Sequence, residues 1–379
     1  MMKRNFKVGR YFGIDVYLHY SWFLIFLLLA WGLSTGFFPE QFPGRTGFEY
    51  WGIGIFSSFL LFLSVLAHEL SHSLVGMRHG IKVDRITLFF FGGVAGMHEQ
   101  KMSPKSEFQM AIAGPAFSIV LAFVFLAVYN LTSFFYVAAV SSYLFRINLI
   151  IAVFNMMPGF PLDGGRVFRS ILWYWTKDFK KATHIATTAG KVLAYIMIFI
   201  GFSNVFTGNF AGIWFVLLGF FLLMLSTLSY KQIVIKDALA GVRAGEFVTK
   251  KFVSVKPGTS LRDVVVDVLL KKDVTSVLVM EDGRFLGVLV AEQVQQIPKK
   301  EWKGIKASDA MVGASRVGKV RLMTGAYNTL VKMLKGGLDF LPVIEKKKLV
   351  GIVRRQELLR YVKFRTTKEK FEKMGFDMK

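Results

Sequence analysis

The chain of 379 residues contains no cysteine. This absence excludes disulfide bridges, thiolate metal sites, iron–sulfur clusters and cysteine nucleophiles. A metal ion in this protein must therefore be bound by histidine, aspartate or glutamate side chains. Acidic residues are also scarce, since 25 Asp and Glu stand against 48 Lys and Arg and give a formal net charge of +23.

Charged residues of either sign make up only 19% of the chain, whereas hydrophobic residues make up 53%. Most of this apolar content lies in six long runs, each near the roughly 20 residues that a helix needs to cross a bilayer. The runs are residues 17–37, 50–77, 108–128, 133–157, 185–206 and 211–229. The sequence therefore predicts a polytopic α-helical membrane protein with about six transmembrane helices.

Positive charge alternates between the connections of these runs. The N-terminal tail and the second and fourth connections are basic, the first carries only Arg45, and the third and fifth carry none. Lys and Arg are enriched on the cytoplasmic side of membrane proteins. We therefore expect a multi-pass protein of the cell membrane with both termini in the cytoplasm.

The larger part of the positive excess lies in residues 231–379, after the last apolar run. Binding to nucleic acid is one interpretation of such a charge. Attraction to the anionic lipids of the cytoplasmic leaflet explains the same charge in a membrane protein. We favour the lipid surface as a partner and expect no nucleic acid.

The second apolar run contains the sequence HELSH, with His68, Glu69 and His72. Residues four apart lie on one face of a helix, so both imidazoles can reach one ion while the glutamate stands beside it to accept a proton from water. Ionisable side chains inside a membrane span are costly and are usually functional. The spacing predicts a metal site rather than a polar packing contact.

A catalytic zinc site has three protein ligands, so a third must come from elsewhere in the chain. Asp163 is favoured because it follows Pro158 and Pro161 on a stiff turn, and because the predicted topology puts it at the depth of the two histidines. The other candidates are His98, Glu99, His79 and His19. Of these, His98 and Glu99 could also lie near the centre as polar residues at a hairpin end, and His19 is expected at the membrane interface. The remaining histidine of the membrane part, His184, is also expected at the interface.

Asn155 is a lone amide in the apolar run that precedes Asp163. It could form a hydrogen bond between helices, a common role of membrane asparagines. It could instead donate to the substrate carbonyl as negative charge develops there, and we favour this interpretation. Arg146, in the same run, has no evident partner.

Residues 81–100 combine alternating and continuous apolar positions around Gly92 and Gly93. This pattern predicts two short strands joined at the glycines. Non-helical backbone at membrane depth is tolerated only where it is buried in protein or lines a cavity. A free strand edge there could pair with an unwound segment of a substrate.

Four motifs together resemble the site-2 protease family of intramembrane metalloproteases over about residues 10–230: HELSH, FFFGGVAG, Ala113-Gly114-Pro115 and NMMPGFPLDGGR. The resemblance implies an enzyme with one zinc ion that cleaves a peptide bond in or near a transmembrane segment of a membrane-protein substrate. By the same resemblance His68, His72 and Asp163 are the zinc ligands, Glu69 is the general base and Asn155 is the active-site asparagine.

An internal repeat with an offset of 64 residues follows the membrane part, since residues 276–289 align without gaps to residues 340–353. Each copy reads as strand, tight turn and strand between helical segments, which resembles a tandem CBS pair with an α/β fold. The predicted domains are a transmembrane protease at 1–230, a linker at 231–246, CBS repeats at 247–298 and 305–363 within 247–363, and a charged tail at 364–379.

CBS pairs resemble adenine-nucleotide sensors and can pair as homodimers, so the resemblance implies a regulatory domain. The threonine and aspartate usual after the second strand are not present at either copy. Arg354 and Arg355 could hold phosphates in their place. Two other functions stay open at this point, a non-catalytic scaffold for partner helices and a transporter gated by the CBS pair.

Overall fold

The computed structural model describes residues 5–90, 92–97, 102–346 and 348–373. The chain divides into two compact units, a membrane unit at Met1–Tyr230 and a C-terminal unit at Lys231–Lys379. The predicted protease domain also ends at residue 230. The last long helix nevertheless continues to Ala238, through the first half of the predicted linker at 231–246.

The membrane unit contains six helices that are long and apolar enough to cross a membrane within the described chain, and this confirms the predicted architecture. In chain order the helices are α1 Tyr20–Gln41, α2 Gly47–Arg78, α3 Pro104–Leu131, α4 Phe135–Asn155, α5 Asp163–Thr176, α6 Phe179–Phe206 and α7 Gly212–Ala238. All except α5 are spans. Several helices are longer than the apolar runs because capped, polar ends extend them, as at Thr46 before α2 and Ser103 before α3.

Helix α5 was not predicted, because its 14 residues are too short to span a bilayer. It follows a tight turn that contains a cis Phe160–Pro161 bond. Asp163 is the first residue of this helix, whereas the sequence predicts it on the turn itself. The helix is amphipathic and buries Gly164, Gly165 and Arg169.

A four-stranded sheet packs beside α2, in the order β1 Asn5–Tyr11, β2 Ile14–His19, β3 Val83–Phe89 and β4 Gly92–Met97. The β3–β4 hairpin confirms the prediction, although the two glycines begin β4 and do not form the turn. The β1–β2 hairpin was not predicted, because strand β2 includes the start of the first apolar run. Strand β2 pairs with β3 in parallel, which leaves β4 as an edge strand.

Helix α2 is fixed by apolar contacts along its length. Toward its N-terminus, Ile53 and Leu61 pack in one buried cluster with residues of α1 and α4 such as Leu33 and Leu144. Toward its C-terminus, Leu66 and Val75 pack against a second cluster that joins the sheet to Met110 of α3. The HELSH segment therefore lies on a helix that is immobilised on both sides of it.

The C-terminal unit is built from short elements. Its strands are β5 Val248–Thr249, β6 Ser254–Val255, β7 Ser276–Glu281, β8 Arg284–Val290, β9 Val312–Gly313, β10 Phe340–Glu345 and β11 Lys348–Arg354. Its helices are α8 Leu261–Asp263, which Val264–Leu270 continues as a π-helix, α9 Ala291–Val294, α10 Ala307–Ala310, α11 Ala326–Gly336 and α12 Arg355–Lys373, with 3-10 turns at Ala244–Phe247 and Lys299–Glu301. These elements give the α/β fold that the repeat predicts.

The structure shows the repeat as two antiparallel hairpins, β7–β8 and β10–β11, whose strands begin 64 residues apart. The two repeats exchange short strands, so that β9 pairs with β8 and β5 pairs with β11. At equivalent positions of the two repeats, Thr275 donates a hydrogen bond to Asp339. The repeats therefore fold as one interlocked unit.

Candidate metal centre

The imidazoles of His68 and His72 face each other on α2. Their exposed fractions are 4% and 3%, and their ring centroids are 4.8 Å apart. The four-residue spacing puts both rings on one face of the helix, and their Nε2 atoms are separated by 3.1 Å. The structure therefore brings together the two histidines that the motif predicted.

Asp163 completes the group from a distant part of the chain. Its Oδ2 lies 3.2 Å from Nε2 of His68 and 3.0 Å from Nε2 of His72. Within the described residues these three side chains form the cluster whose ligand atoms could hold a metal ion. The structure thus places Asp163, of all the candidates for a third ligand, at the two histidines.

The donor set fits a tetrahedral zinc ion. Bonds of about 2.0–2.1 Å to zinc place neighbouring ligand atoms about 3.3 Å apart, close to the three separations in this cluster. The ring of His72 contacts the Met110 carbonyl through Nδ1 at 2.6 Å. A carbonyl only accepts, so Nδ1 of His72 carries a proton, and Nε2 is the ring atom that can bind an ion when the ring is neutral. A ring nitrogen and a carboxylate oxygen at this separation are joined either by a proton on Nε2 or by a metal ion that both of them bind.

Helix α3 orients both rings and leaves room for an ion. His68 Nδ1 lies 2.9 Å from Ser118 Oγ, and the Met110 carbonyl holds His72 from the same helix. Between them, a Cβ added at Gly114 would overlap the Nε2 atoms of both rings. Glycine at this position therefore keeps open the space that the ion needs.

Glu69 lies beside the cluster, between α2 and the edge strand β4. A Cβ added at Gly93 would come within 3.1 Å of Glu69 Oε1, so the strand backbone runs directly over the carboxylate. This contact puts the free edge of β4 next to the group predicted to act on water. The hairpin is therefore part of the site and not only a covering segment.

The charge of Asp163 is supported by its surroundings. Burial by itself would raise the pKa of Asp163, but contacts with the two imidazoles and the charge of Arg166 outweigh burial and hold that pKa below its usual range. Arg166 lies one turn further along α5, with Nη1 3.8 Å from Asp163 Oδ1. The carboxylate is thus an anion before any ion binds.

Comparison with known proteins follows the same division of the chain. The model for peptidase family M50 matches residues 56–142 and 130–199, and the CBS domain model matches residues 244–294 and 324–363. A protein of Synechocystis that is named as a zinc metalloprotease is 32% identical over 368 residues, which are 95% of this chain and 96% of the relative. The chain belongs to peptidase family M50.

Further matches come from Methanocaldococcus jannaschii. A zinc metalloprotease of that organism is 29% identical over 376 residues, 98% of this chain and all of the relative. A solved site-2 protease structure from the same organism has 30% sequence identity and a TM-score of 0.42, and it covers 59% of this chain and 94% of that one. The prediction of a membrane metallopeptidase of the site-2 protease type with a CBS region is confirmed, and M50 membership implies zinc.

The other candidate residues have different surroundings. Asn155 is the half-buried last residue of α4. Its side-chain amide makes no hydrogen bond to any residue that the structure describes, so its role stays a prediction. His79 caps the end of α2 and is exposed, and His19 caps α1 by accepting from the Ser21 amide at 3.3 Å. The ring of His184 contacts that of Tyr230 at a tilted angle, with 5.1 Å between centroids, while His98 and Glu99 lie outside the described residues.

Arg146, which had no evident partner in the sequence, donates to Gln41 Oε1 at 2.8 Å. The contacts that orient the rings were missed altogether, although Gly114 was noted as part of a motif. Met110, Gly114 and Ser118 recur at intervals of four on α3, and this spacing was the available signal. Sequence alone does not say what that face of the helix meets.

Replacing Gly114 with alanine should remove zinc binding without unfolding the protein. The new methyl group would occupy the ion's space, and we expect zinc affinity to fall by at least roughly tenfold, as for disturbed groups around other metal sites. The metal-free protein should stay folded but melt slightly lower, because overlap of the new methyl group with two buried rings costs about 1–3 kcal/mol and the helix preference of alanine over glycine returns only about 1 kcal/mol. Chelator competition and thermal unfolding in detergent measure the two quantities.

Gly52→Ala on α2 is the matched control, since a Cβ there meets no atom within 4 Å. It should leave zinc affinity unchanged. Wild-type zinc affinity in Gly114→Ala would show that the ion does not lie between the two rings.

Proposed function

We propose that one zinc ion, held by His68, His72 and Asp163, serves an endopeptidase that hydrolyses a peptide bond in or near a transmembrane segment of a membrane protein. The observation that supports this proposal is that three possible ligand atoms lie about 3 Å from one another, in a buried space that Gly114 leaves open. When bound, zinc polarises a carbonyl group and makes water more acidic. Nothing in the described chain favours the scaffold or transporter alternatives.

Glu69 moves the protons of the reaction. Its carboxylate accepts a proton from the attacking water as the new C–O bond forms, and it passes that proton to the amide nitrogen as the C–N bond breaks. Its position next to the cluster supports this role. Asn155 is proposed as the donor that stabilises negative charge on the substrate carbonyl, on the strength of its place eight residues before Asp163.

The substrate segment must unwind before cleavage, because a helix keeps its carbonyl groups in internal hydrogen bonds. We propose that the unwound segment adds to β4 as a further strand. The free edge of β4 and the contact between Gly93 and Glu69 support this position, since backbone pairing there would bring a substrate carbonyl close to the base.

The C-terminal unit is proposed to regulate the protease. CBS domains often bind adenine nucleotides, but the two arginines that could hold phosphates here are already engaged. Arg355 lies 2.5 Å from Asp339, and Arg354 donates to the Lys251 carbonyl at 2.5 Å. These contacts argue against a phosphate site at this point of the unit.

The remaining proposals concern organisation and environment. We propose a protease domain at 1–230, a linker at 231–246, CBS repeats at 247–298 and 305–363, and a charged tail at 364–379. The basic excess after residue 230 supports contact with an anionic lipid surface. A homodimer is proposed from the likeness of the C-terminal unit to CBS domains, which can pair as homodimers. The distribution of Lys and Arg supports a cell-membrane protein with both termini in the cytoplasm.

Glu69→Gln should abolish cleavage but retain zinc. Loss of a general base lowers a rate by roughly 10²–10⁴-fold, whereas the three ligands are untouched. The measurement is cleavage of a single-span membrane protein by the reconstituted enzyme, together with zinc content. Glu40→Gln, an exposed glutamate of α1, serves as the control. Undiminished cleavage by Glu69→Gln would rule out the proposed mechanism.

Proline in β4 should weaken cleavage without loss of zinc. Proline has no N–H, and neighbouring residues of an edge strand direct their N–H groups alternately to β3 and outward. One of Val94→Pro and Ala95→Pro therefore removes a donor from the free edge, and we expect up to about a tenfold loss, the value of one hydrogen bond. Val8→Pro, in β1 at the opposite edge, is the control. Full cleavage by both β4 variants would exclude strand addition.

The absence of cysteine permits a direct test of topology. Ser133→Cys lies in the connection after α3, and Lys105→Cys lies in the exposed first turn of α3. A membrane-impermeant maleimide should label the first variant in intact cells and the second only after lysis, because Lys and Arg mark the cytoplasmic side. The reverse pattern would contradict the proposed orientation.

A further inference from the structure

An ion pair is buried between α3 and α5, away from the metal centre. Glu107 is 1% exposed and Arg169 is 7% exposed. Arg169 Nε donates to Glu107 Oε1 at 2.9 Å, and Nη2 donates to the same oxygen. The catalytic proposal does not use either residue.

The pair belongs to the same helix contact as the metal centre. Glu107, Met110, Gly114 and Ser118 lie at positions i, i+3, i+7 and i+11 of α3, so the acidic end of the pair shares a face with the groups that orient the imidazoles. On α5, Arg169 follows Asp163 by six residues. At 1.5 Å per residue, the pair lies roughly 10 Å from the centre along either helix. The two helices are thus joined at two points.

Arg169 also contacts the turn that leads to Asp163. Its guanidinium carbon lies 4.5 Å from the ring centroid of Phe160 and 4.9 Å from that of Phe179. Phe160 is in turn held by its amide, which donates to the Ala186 carbonyl of α6 at 3.1 Å. The guanidinium therefore connects α3, α5, the turn and the start of α6.

Stability alone is a poor explanation of this pair. Burial of two charges costs about as much as their attraction returns, and apolar replacements of such pairs are often neutral. Here Glu107 Oε2 has no partner among the residues that the structure describes, which adds to the cost. The hydrogen bonds of the pair are directional, so they fix the position of α5 along the axis of α3.

We propose that the Glu107–Arg169 pair is a positioning device that sets the place of Asp163 relative to the two imidazoles, and thereby sets the affinity for zinc. The inference rests on the proposed function of Asp163 as a ligand. Helix α3 holds the rings and α5 carries the carboxylate, so an axial shift between these helices changes the separation of the donor atoms.

The test compares zinc affinity, by chelator competition, with the melting temperature of the metal-free protein in detergent. We expect Arg169→Met and Glu107→Gln each to weaken zinc binding by roughly 10–100-fold, as loss of supporting groups does at other metal sites. The double variant Glu107→Leu/Arg169→Met should regain the metal-free melting temperature, because apolar packing replaces the charges. It should not regain zinc affinity, because the directional bonds are gone. Arg146→Met is the control for loss of an arginine elsewhere in the unit.

A purely structural role predicts that zinc affinity follows the melting temperature, so recovery of both in the double variant would overturn the inference. Wild-type affinity in both single variants would also overturn it. The variant Asp163→Ala distinguishes a failure of the proposed ligand role from a failure of the positioning role. If it leaves zinc affinity unchanged, the proposed function fails, whereas if it weakens binding and Arg169→Met does not, only the positioning role fails. Glu107→Gln, which preserves side-chain shape, decides the matter if Arg169→Met does not fold.

Discussion

The structure depends on one electrostatic constraint, that two imidazole nitrogens and a carboxylate oxygen meet in a buried space inside an apolar helix bundle. The Met110 carbonyl fixes a proton of His72 on Nδ1, so Nε2 is the nitrogen that points to Asp163 and can bind an ion. A buried carboxylate is costly unless it is paired with a cation or binds a metal ion. The rest of the membrane unit is arranged to hold these groups in that geometry.

Each element around the centre holds one part of the site in place. Helix α2 presents both rings on one face, α3 orients them and leaves space at Gly114, α5 brings Asp163 in at its first turn, and β4 runs over Glu69. Precise positions matter because catalysis requires the reacting groups to be held before the substrate arrives. The Glu107–Arg169 contact extends this reasoning from the ligands to the helices that carry them.

Local regularities made much of this predictable. The spans follow from apolar runs of sufficient length, and the pairing of His68 with His72 follows from helical spacing. Asp163 required an argument about depth in the membrane, and the structure brings its carboxylate to within 3.2 Å of both imidazoles. The β1–β2 hairpin was missed because β2 includes the start of the first apolar run, and helix α5 was missed because it is too short to span a bilayer. The roles of Ser118 and Arg169 were missed because neither side chain carries a local signal of its partner on another helix.

The most direct test of the metal centre is zinc X-ray absorption spectroscopy on the purified full-length protein, with zinc stoichiometry measured on the same sample. One ion per chain should be found, with scattering from two imidazoles and light-atom ligands at about 2.0–2.2 Å. A zinc ion with one imidazole or none, or more than one tightly bound ion per chain, would contradict the convergence of His68, His72 and Asp163 on a single site.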